Sequence, residues 1–228
     1  MPNIGVWIDG DSEFQQFPEA ELRDKEILEI GCGDGRITSR FVRVAKYVTA
    51  MDPNEKILDV ARNNLDSYSN VRLIAGKGER LDLPDNSFDV VFYTLSFHHI
   101  PLDKQYDGIL ESRRVLRKNG RLFIYEPVLN GQMQSLFLLF EDEVNELRQV
   151  PKTLKTACAK HIFKQLRKHE FSIHWSFDDI NELFEFFKKE YGADAMKNKK
   201  ADVISIVKDS KATPLIIEDR LMFVELGV

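Results

Sequence analysis

The run Ile27-Leu28-Glu29-Ile30-Gly31-Cys32-Gly33-Asp34-Gly35 narrows what this chain can fold into more than any other stretch. Apolar residues of strand length pass straight into three alternate glycines. That pattern calls for a buried strand ending in a loop whose backbone comes close to a ligand, because each missing Cβ removes a clash and permits positive φ. Such loops serve many nucleotide-binding folds, including the one marked by G-x-G-x-x-G. Here the spacing is G-x-G-x-G, and Ser39 stands near where a later glycine would come, which argues against a pyrophosphate cradle. Asp52 lies 17 residues beyond Gly35, at the end of the next apolar run. A carboxylate there can accept hydrogen bonds from both hydroxyls of a ribose. Capping the helix expected to begin at Pro53 is the competing role, and the two are compatible.

From Glu26 onward, apolar runs of strand length alternate with amphipathic segments of helix length, the pattern of parallel βαβ units. Strands are expected at 26–30, 47–51, 71–75, 88–93 and 121–126, with helices at 37–45, 56–67 and 104–117 between them. Beyond Pro127 the spacing predicts helices at 132–149 and 152–169 separated by Pro151, a strand at 171–177, helices at 179–191 and 193–208, and a terminal strand at 215–226. The fold class expected is therefore α/β: a Rossmann-like, seven-stranded, mostly parallel sheet with helices on both faces and a helical lid inserted after the fifth strand. All 228 residues are read as one domain, its core at about 23–128 with 171–177 and 215–228, and its lid at about 130–170. The first 22 residues are expected to form an irregular or short helical lead-in over the cofactor.

With 43% hydrophobic and 30% charged residues the chain is too apolar for disorder. A net charge of -5 without a long basic run disfavours a nucleic-acid partner, which needs cations for the phosphate backbone. No stretch reaches the ~20 apolar residues of a membrane span, and the first residues lack the charged start and apolar run of a signal peptide. The expected location is cytoplasmic. Cys32 and Cys158 are far apart and without His or Cys at ligand spacing, so no disulfide framework and no metal site is expected. Cys32, inside the glycine loop, reads as a small filler rather than a nucleophile. Phe137, Phe140, Val144 and Leu147 recur at helical spacing; core packing, an acceptor pocket and a homodimer seam are the three readings of that stripe, in that order.

The motifs ILEIGCGDGRIT (27–38), AMDPNEKILDVARNN (50–64), LDLPDNSFDVVFYTLSFHHI (81–100) and RRVLRKNGRLFIYEP (113–127) together resemble the class I S-adenosylmethionine-dependent methyltransferases, in particular the small-molecule branch related to quinone-biosynthesis enzymes. The resemblance implies S-adenosyl-L-methionine as cofactor and S-adenosyl-L-homocysteine as product. Glu29, Gly31, Cys32, Gly33 and Gly35 would then lie along the methionine half, Asp52 on the ribose, and Pro53 and Asn54 beside the adenine. Gly78 and Glu79 would complete the adenine side. Tyr93 and Phe97 can form an aromatic wall near the methyl group, with core packing as the alternative for each. Where the family usually carries an aspartate for the adenine amino group this chain has Lys77, which offers donors only.

Methyl transfer from a sulfonium needs alignment and exclusion of water more than obligatory catalytic groups. A general base helps when the acceptor must lose a proton, and histidine suits that task near neutral pH. His98 and His99 follow the fourth expected strand and Glu126 ends the fifth, all at the ligand edge of an open α/β sheet. These three are the candidate catalytic residues, each with packing or hydrogen bonding as its rival role. The family's tetrapeptides for methylating amino groups are absent, Thr94-Leu95-Ser96-Phe97 standing there instead. The expected function is methyl transfer to an O, C or S centre of a small molecule, and the alternative is a non-catalytic cofactor-binding regulatory or partner protein.

Overall fold

The first strand to carry the fold is Glu26–Ile30, whose last four residues are buried. A computed structural model describes Val6–Trp7, as backbone, and residues 15–228. In chain order the strands are β1 (Val6–Trp7), β2 (Glu26–Ile30), β3 (Tyr47–Asp52), β4 (Val71–Ala75), β5 (Phe88–Thr94), β6 (Leu116–Pro127), β7 (Lys164–Phe177) and β8 (Leu215–Gly227). The helices are α1 (Glu19–Leu22), α2 (Thr38–Phe41), α3 (Glu55–Asn64), α4 (Gln105–Val115), α5 (Gln132–Phe137), α6 (Val144–Ala159), α7 (Ile180–Tyr191) and α8 (Ala193–Ile206). Among the described residues the strands join in the order β1-β7-β8-β6-β5-β2-β3-β4. The seven expected strands are β2 to β8, and β1 adds two residues to them. Of the lead-in expected to cover the cofactor, residues 1–5 and 8–14 lie outside the described residues.

The chain divides into two compact units. One holds Pro18–Glu126, Asn145–His169 and Met222–Val228. Its β4, β3, β2, β5 and β6 are all paired in parallel, so their carboxyl ends share one edge, the edge at which such sheets bind ligands. Phe92 on β5 is fully buried, with ring centroids 4.9 Å from Phe41, 5.2 Å from Phe123 and 6.0 Å from Phe223. Strands buried on both faces read as unbroken apolar runs, and Val90 to Tyr93 does so. Helix α4 ends at Val115, two residues before the expected end, and the chain turns at Asn119, whose φ is 68°. Asparagine, not the neighbouring Gly120, supplies that left-handed residue.

The other unit holds Pro127–Val144 and Glu170–Leu221 among its described residues. Its core joins Met133 and Leu136 of α5 to Leu183 and Phe187 of α7 and to Met196 and Val203 of α8. Gly131, the residue before α5, has no side chain to cap the helix, and a Cβ there would sit 2.1 Å from Asp219 Oδ1. Asp219 accepts the Gln134 N–H at 3.1 Å instead, capping α5 from β8. Burial pushes the Asp219 carboxyl up to about 7.

Three expectations for the second half are corrected. The helix predicted over 132–149 is two helices, α5 and α6, so the 137–147 stripe does not run along one face. Phe137 and Phe140 join the aromatic cluster of Phe187, whereas Leu147 is buried on α6 in the first unit. Pro151 lies inside α6 rather than ending a helix. The backbone bond it forgoes is offset by burial of Leu147, Val150, Leu154 and Ala157. The helix predicted over 152–169 stops at Ala159, and 164–170 is strand. Its lysines and arginine are helix-compatible in isolation, but sheet pairing overrides propensity. Arg167 reaches Glu225 Oε2 at 3.6 Å and lies 5.0 Å above the Phe223 ring.

Replacing Phe92 with alanine removes a ring shared by three aromatic neighbours. We expect a loss of about 3–5 kcal/mol in denaturant unfolding; a loss under about 1 kcal/mol would place the structural core of this unit elsewhere.

Candidate cofactor and active site

The glycine loop is drawn across the end of β3, because the N–H groups of Gly31 and Cys32 both donate to the Met51 carbonyl, at 2.7 and 3.0 Å. Gly31 has φ 78°, and a Cβ on it would lie 2.1 Å from Ser96 Cβ. Ser96 in turn donates its hydroxyl to the Ile30 carbonyl at 2.5 Å. The loop after β2 and the loop after β5 therefore pack directly on each other, and only glycine fits at the contact.

Asp52 is aimed by its own surroundings. Its Oδ2 accepts the Gly33 N–H at 3.0 Å and its Oδ1 the Asn54 N–H at 2.9 Å. A carboxylate has about four lone-pair sites, so each oxygen keeps acceptor capacity toward the cavity it lines. The helix cap is Asn54, whose side chain accepts the Lys56 N–H at 3.1 Å. Pro53 consequently precedes α3 rather than opening it, and Asp52 is released from capping.

One cavity of about 660 Å3 runs along this sheet edge. Gly31, Cys32 and Gly33 line it from β2; Asp52, Pro53 and Asn54 from β3; Gly78 and Glu79 from the turn after β4; and His99 from the turn after β5. Five expected site residues stand behind the wall instead. Glu29 is fully buried: Thr38 donates to its Oε2 at 2.6 Å, and the Thr94 hydroxyl, 3.0 Å from its Oε1, also lies 3.2 Å from the Gly31 carbonyl. Gly35, with φ 85°, packs against Leu65. Tyr93 is fully buried, its hydroxyl 3.4 Å from the carbonyls of Gly78 and Gly108, so it supports the β4 turn from below. His98 and Glu126 are buried against each other.

That last pair shapes the wall. Glu126 accepts the N–H groups of Ser96 and Phe97 at 2.8 Å each and that of His98 at 3.3 Å, and it is hydrogen-bonded to His98 Nδ1. The carboxylate fixes the backbone of 96–98 while the exposed His99 lines the cavity. Sequence reasoning placed both histidines and Glu126 at the right edge without resolving which of them faces inward. It also missed Arg36, Leu95, Ser96, Ile100 and Pro101 in the lining. Leu95 has φ 55°, a conformation no leucine advertises; the hydroxyl of Ser96, opposite a glycine, was the one legible signal.

Burial pushes the Glu29 carboxyl up to about 7, against the lowering influence of Thr38, Thr94 and Arg36. Burial also raises the Cys32 thiol, with Glu29 and Asp52 adding to the effect, so Cys32 stays protonated at neutral pH and fits the role of filler.

Residues 28–124 match the family described as the methyltransferase domain. Over 110 residues the chain is 33% identical to the ubiquinone/menaquinone biosynthesis C-methyltransferase of Azotobacter vinelandii, covering 46% of this chain and 43% of that one. It thus spans less than half the length of that relative. A malonyl-[acyl-carrier protein] O-methyltransferase of Halalkalibacterium halodurans is 27% identical over 184 residues, 75% of this chain and 67% of that one. A solved structure from Bacillus halodurans superposes with a TM-score of 0.66 at 20% identity, covering 92% of this chain and 98% of the other, and shares the fold. Among the described residues no helix is long and apolar enough to cross a membrane.

The raised Glu29 carboxyl carries a pH dependence of stability. Its folded pKa of about 7 exceeds the reference 4.5, so between those values the unfolded state releases a proton that the folded state keeps, and stability falls as pH rises. Above pH 7 the loss is complete. We expect E29Q, compared with wild type across pH 4.5 to 7.5, to remove a decline of the order of 2–3 kcal/mol, leaving the parallel contribution of Asp219. Identical pH profiles for the two proteins would refute the assignment.

Proposed function

We propose that this chain binds S-adenosyl-L-methionine along the β2–β3–β4 edge and transfers its methyl group to an O, C or S centre of a small-molecule acceptor. The observation that carries this reading is Asp52, held by two backbone N–H groups at the wall of a cavity long enough to join the glycine loop to the 76–79 turn. The residues fit the cofactor. Asp52 retains acceptor capacity for both ribose hydroxyls, and the close backbone at Gly31 to Gly33 suits the amino-acid portion.

When bound, the sulfonium supplies an already activated methyl group. The chain's own residues then have three tasks. Asp52 and the glycine loop fix the orientation, which confers the advantage of a preset attack geometry. Leu95, Ile100 and Pro101 keep the β5 end of the cavity apolar and exclude water. His99 takes the proton of an acceptor that must lose one, since of the three candidate catalytic residues it is the one on the cavity wall. Glu126 and His98 position the loop that presents it. The C- and O-methylating relatives are consistent with such acceptors. Lys77, a donor on the lining, favours a second reading, a protein that holds the cofactor without transfer; it predicts binding but no S-adenosylhomocysteine formation with any acceptor.

Titration calorimetry with S-adenosylmethionine and S-adenosylhomocysteine tests the proposal. Wild type is expected to bind both, and D52A to weaken each by roughly 100-fold, the size of a lost charge-assisted contact to the ribose. Absence of heat from wild type at millimolar ligand would end the cofactor reading.

A further inference from the structure

Between Glu146 and Glu170 the sequence carries seven lysines and arginines and no acidic residue, in a chain whose net charge is -5. They are spread over α6 and the start of β7 rather than gathered in one run. All seven are exposed.

Arg148, Lys152 and Lys155 follow one another at intervals of four and three residues, which sets them on one side of α6 over a length of about 10 Å. The opposite side of the helix, with Val150, Leu154 and Ala157, is buried. Core packing therefore fixes which way these cations face. Just past the end of the helix the Lys160 ammonium stands 4.7 Å above the Tyr106 ring. Lys164, Arg167 and Lys168 lie in the first turns of chain along β7, and Leu166 among them is 44% exposed. Arg167 is paired with Glu225. Arg148, Lys152, Lys155, Lys164 and Lys168 form no ion pair with any described residue. None of the seven lines the cofactor cavity, so holding the cofactor does not account for them.

Like charges at a spacing of three and four residues destabilise the helix that carries them. An anionic partner reverses that contribution. The possible partners differ in what they ask of a surface. Recognition of nucleic acid adds stacking aromatic rings or arginine forks, and protein interfaces centre on aromatic residues and are depleted in lysine. Here five of the seven cations are lysine, and the large exposed apolar side chain among them is Leu166. Flexible ammonium groups reach phosphate headgroups without a fixed geometry, and a cluster of about four to eight cations on an amphipathic helix is what an anionic leaflet attracts.

We propose that the exposed side of α6 and the start of β7 form a docking surface for anionic phospholipid headgroups, which holds the protein reversibly at a membrane surface. Because the apolar side of α6 is committed to the core, the attachment is electrostatic. It is independent of the cofactor reading.

The test sediments the full chain with vesicles of phosphatidylcholine alone or with about 30 mol% phosphatidylserine, a surface at which each cation brought near it is worth about fivefold in partitioning. Wild type is expected on the anionic vesicles only, and to leave them when added salt shortens the screening length from about 10 Å to about 3 Å. K152Q/K155Q should partition about 25-fold more weakly. K197Q/K211Q, which removes the same charge from exposed positions elsewhere, should stay within about threefold of wild type. Thermal melts check that both variants are folded. Wild type missing from the anionic vesicles, wild type bound equally to neutral ones, or equal weakening by the two double variants would each overturn the proposal. So would a short single-stranded RNA that binds more tightly than the vesicles and is lost in K152Q/K155Q, an outcome that assigns the surface to nucleic acid instead.

Discussion

A single buried carboxylate sets the shape of the β5 end of the site. Glu126 gathers three consecutive backbone N–H groups and the His98 ring, and a buried anion is stable only when its lone pairs are filled in this way. Because that carboxylate stands at the end of β6, next to β5 in the sheet, the loop it holds is registered to the strands themselves. Ser96 is thereby pressed against Gly31, and the glycine loop receives its path from two sides: the Met51 carbonyl below and the β5 loop beside it. The site is a set of loops, but its coordinates belong to the sheet.

Glu29 does for the interior what Glu126 does for the rim. It binds hydroxyls from α2 and β5 while sitting on β2, so three elements meet on one side chain. With its carboxyl pushed up by burial, it reads from sequence as a ligand contact because it lies two residues before the glycines. Its actual position, beneath them, follows from strand alternation: in β2 successive side chains point to opposite faces, and neither face is the end of the strand where the ligand lies.

The parallel sheet, its glycine loop and Asp52 were legible because each leaves a local mark in the sequence: an apolar run, a spacing, a carboxylate at a strand end. For Tyr93, His98 and Glu126 the sequence left a cavity role and a packing or hydrogen-bonding role side by side, and all three side chains are buried, since adjacency in sequence does not reveal which of two neighbouring side chains turns inward. The departure at 164–170 has a different origin. Lys164 to Glu170 carries no strand pattern, and its conformation comes from pairing beside β8, a partner that begins 45 residues after Glu170. The division of 132–159 between two helices in two units was hidden for a similar reason, as the Phe137 and Leu147 side chains are equally apolar but find different cores.

The Asp219 cap on α5 separates two events in time. The helix begins at Gln132, yet the side chain that closes its first turn is 85 positions further along than the Gln134 N–H it binds. As the chain emerges from the ribosome in order, α5 must wait for β8 before its first turn is sealed. The space left by Gly131 for that carboxylate is then a keyhole cut before its key is made, and any side chain at 131 would fill the lock.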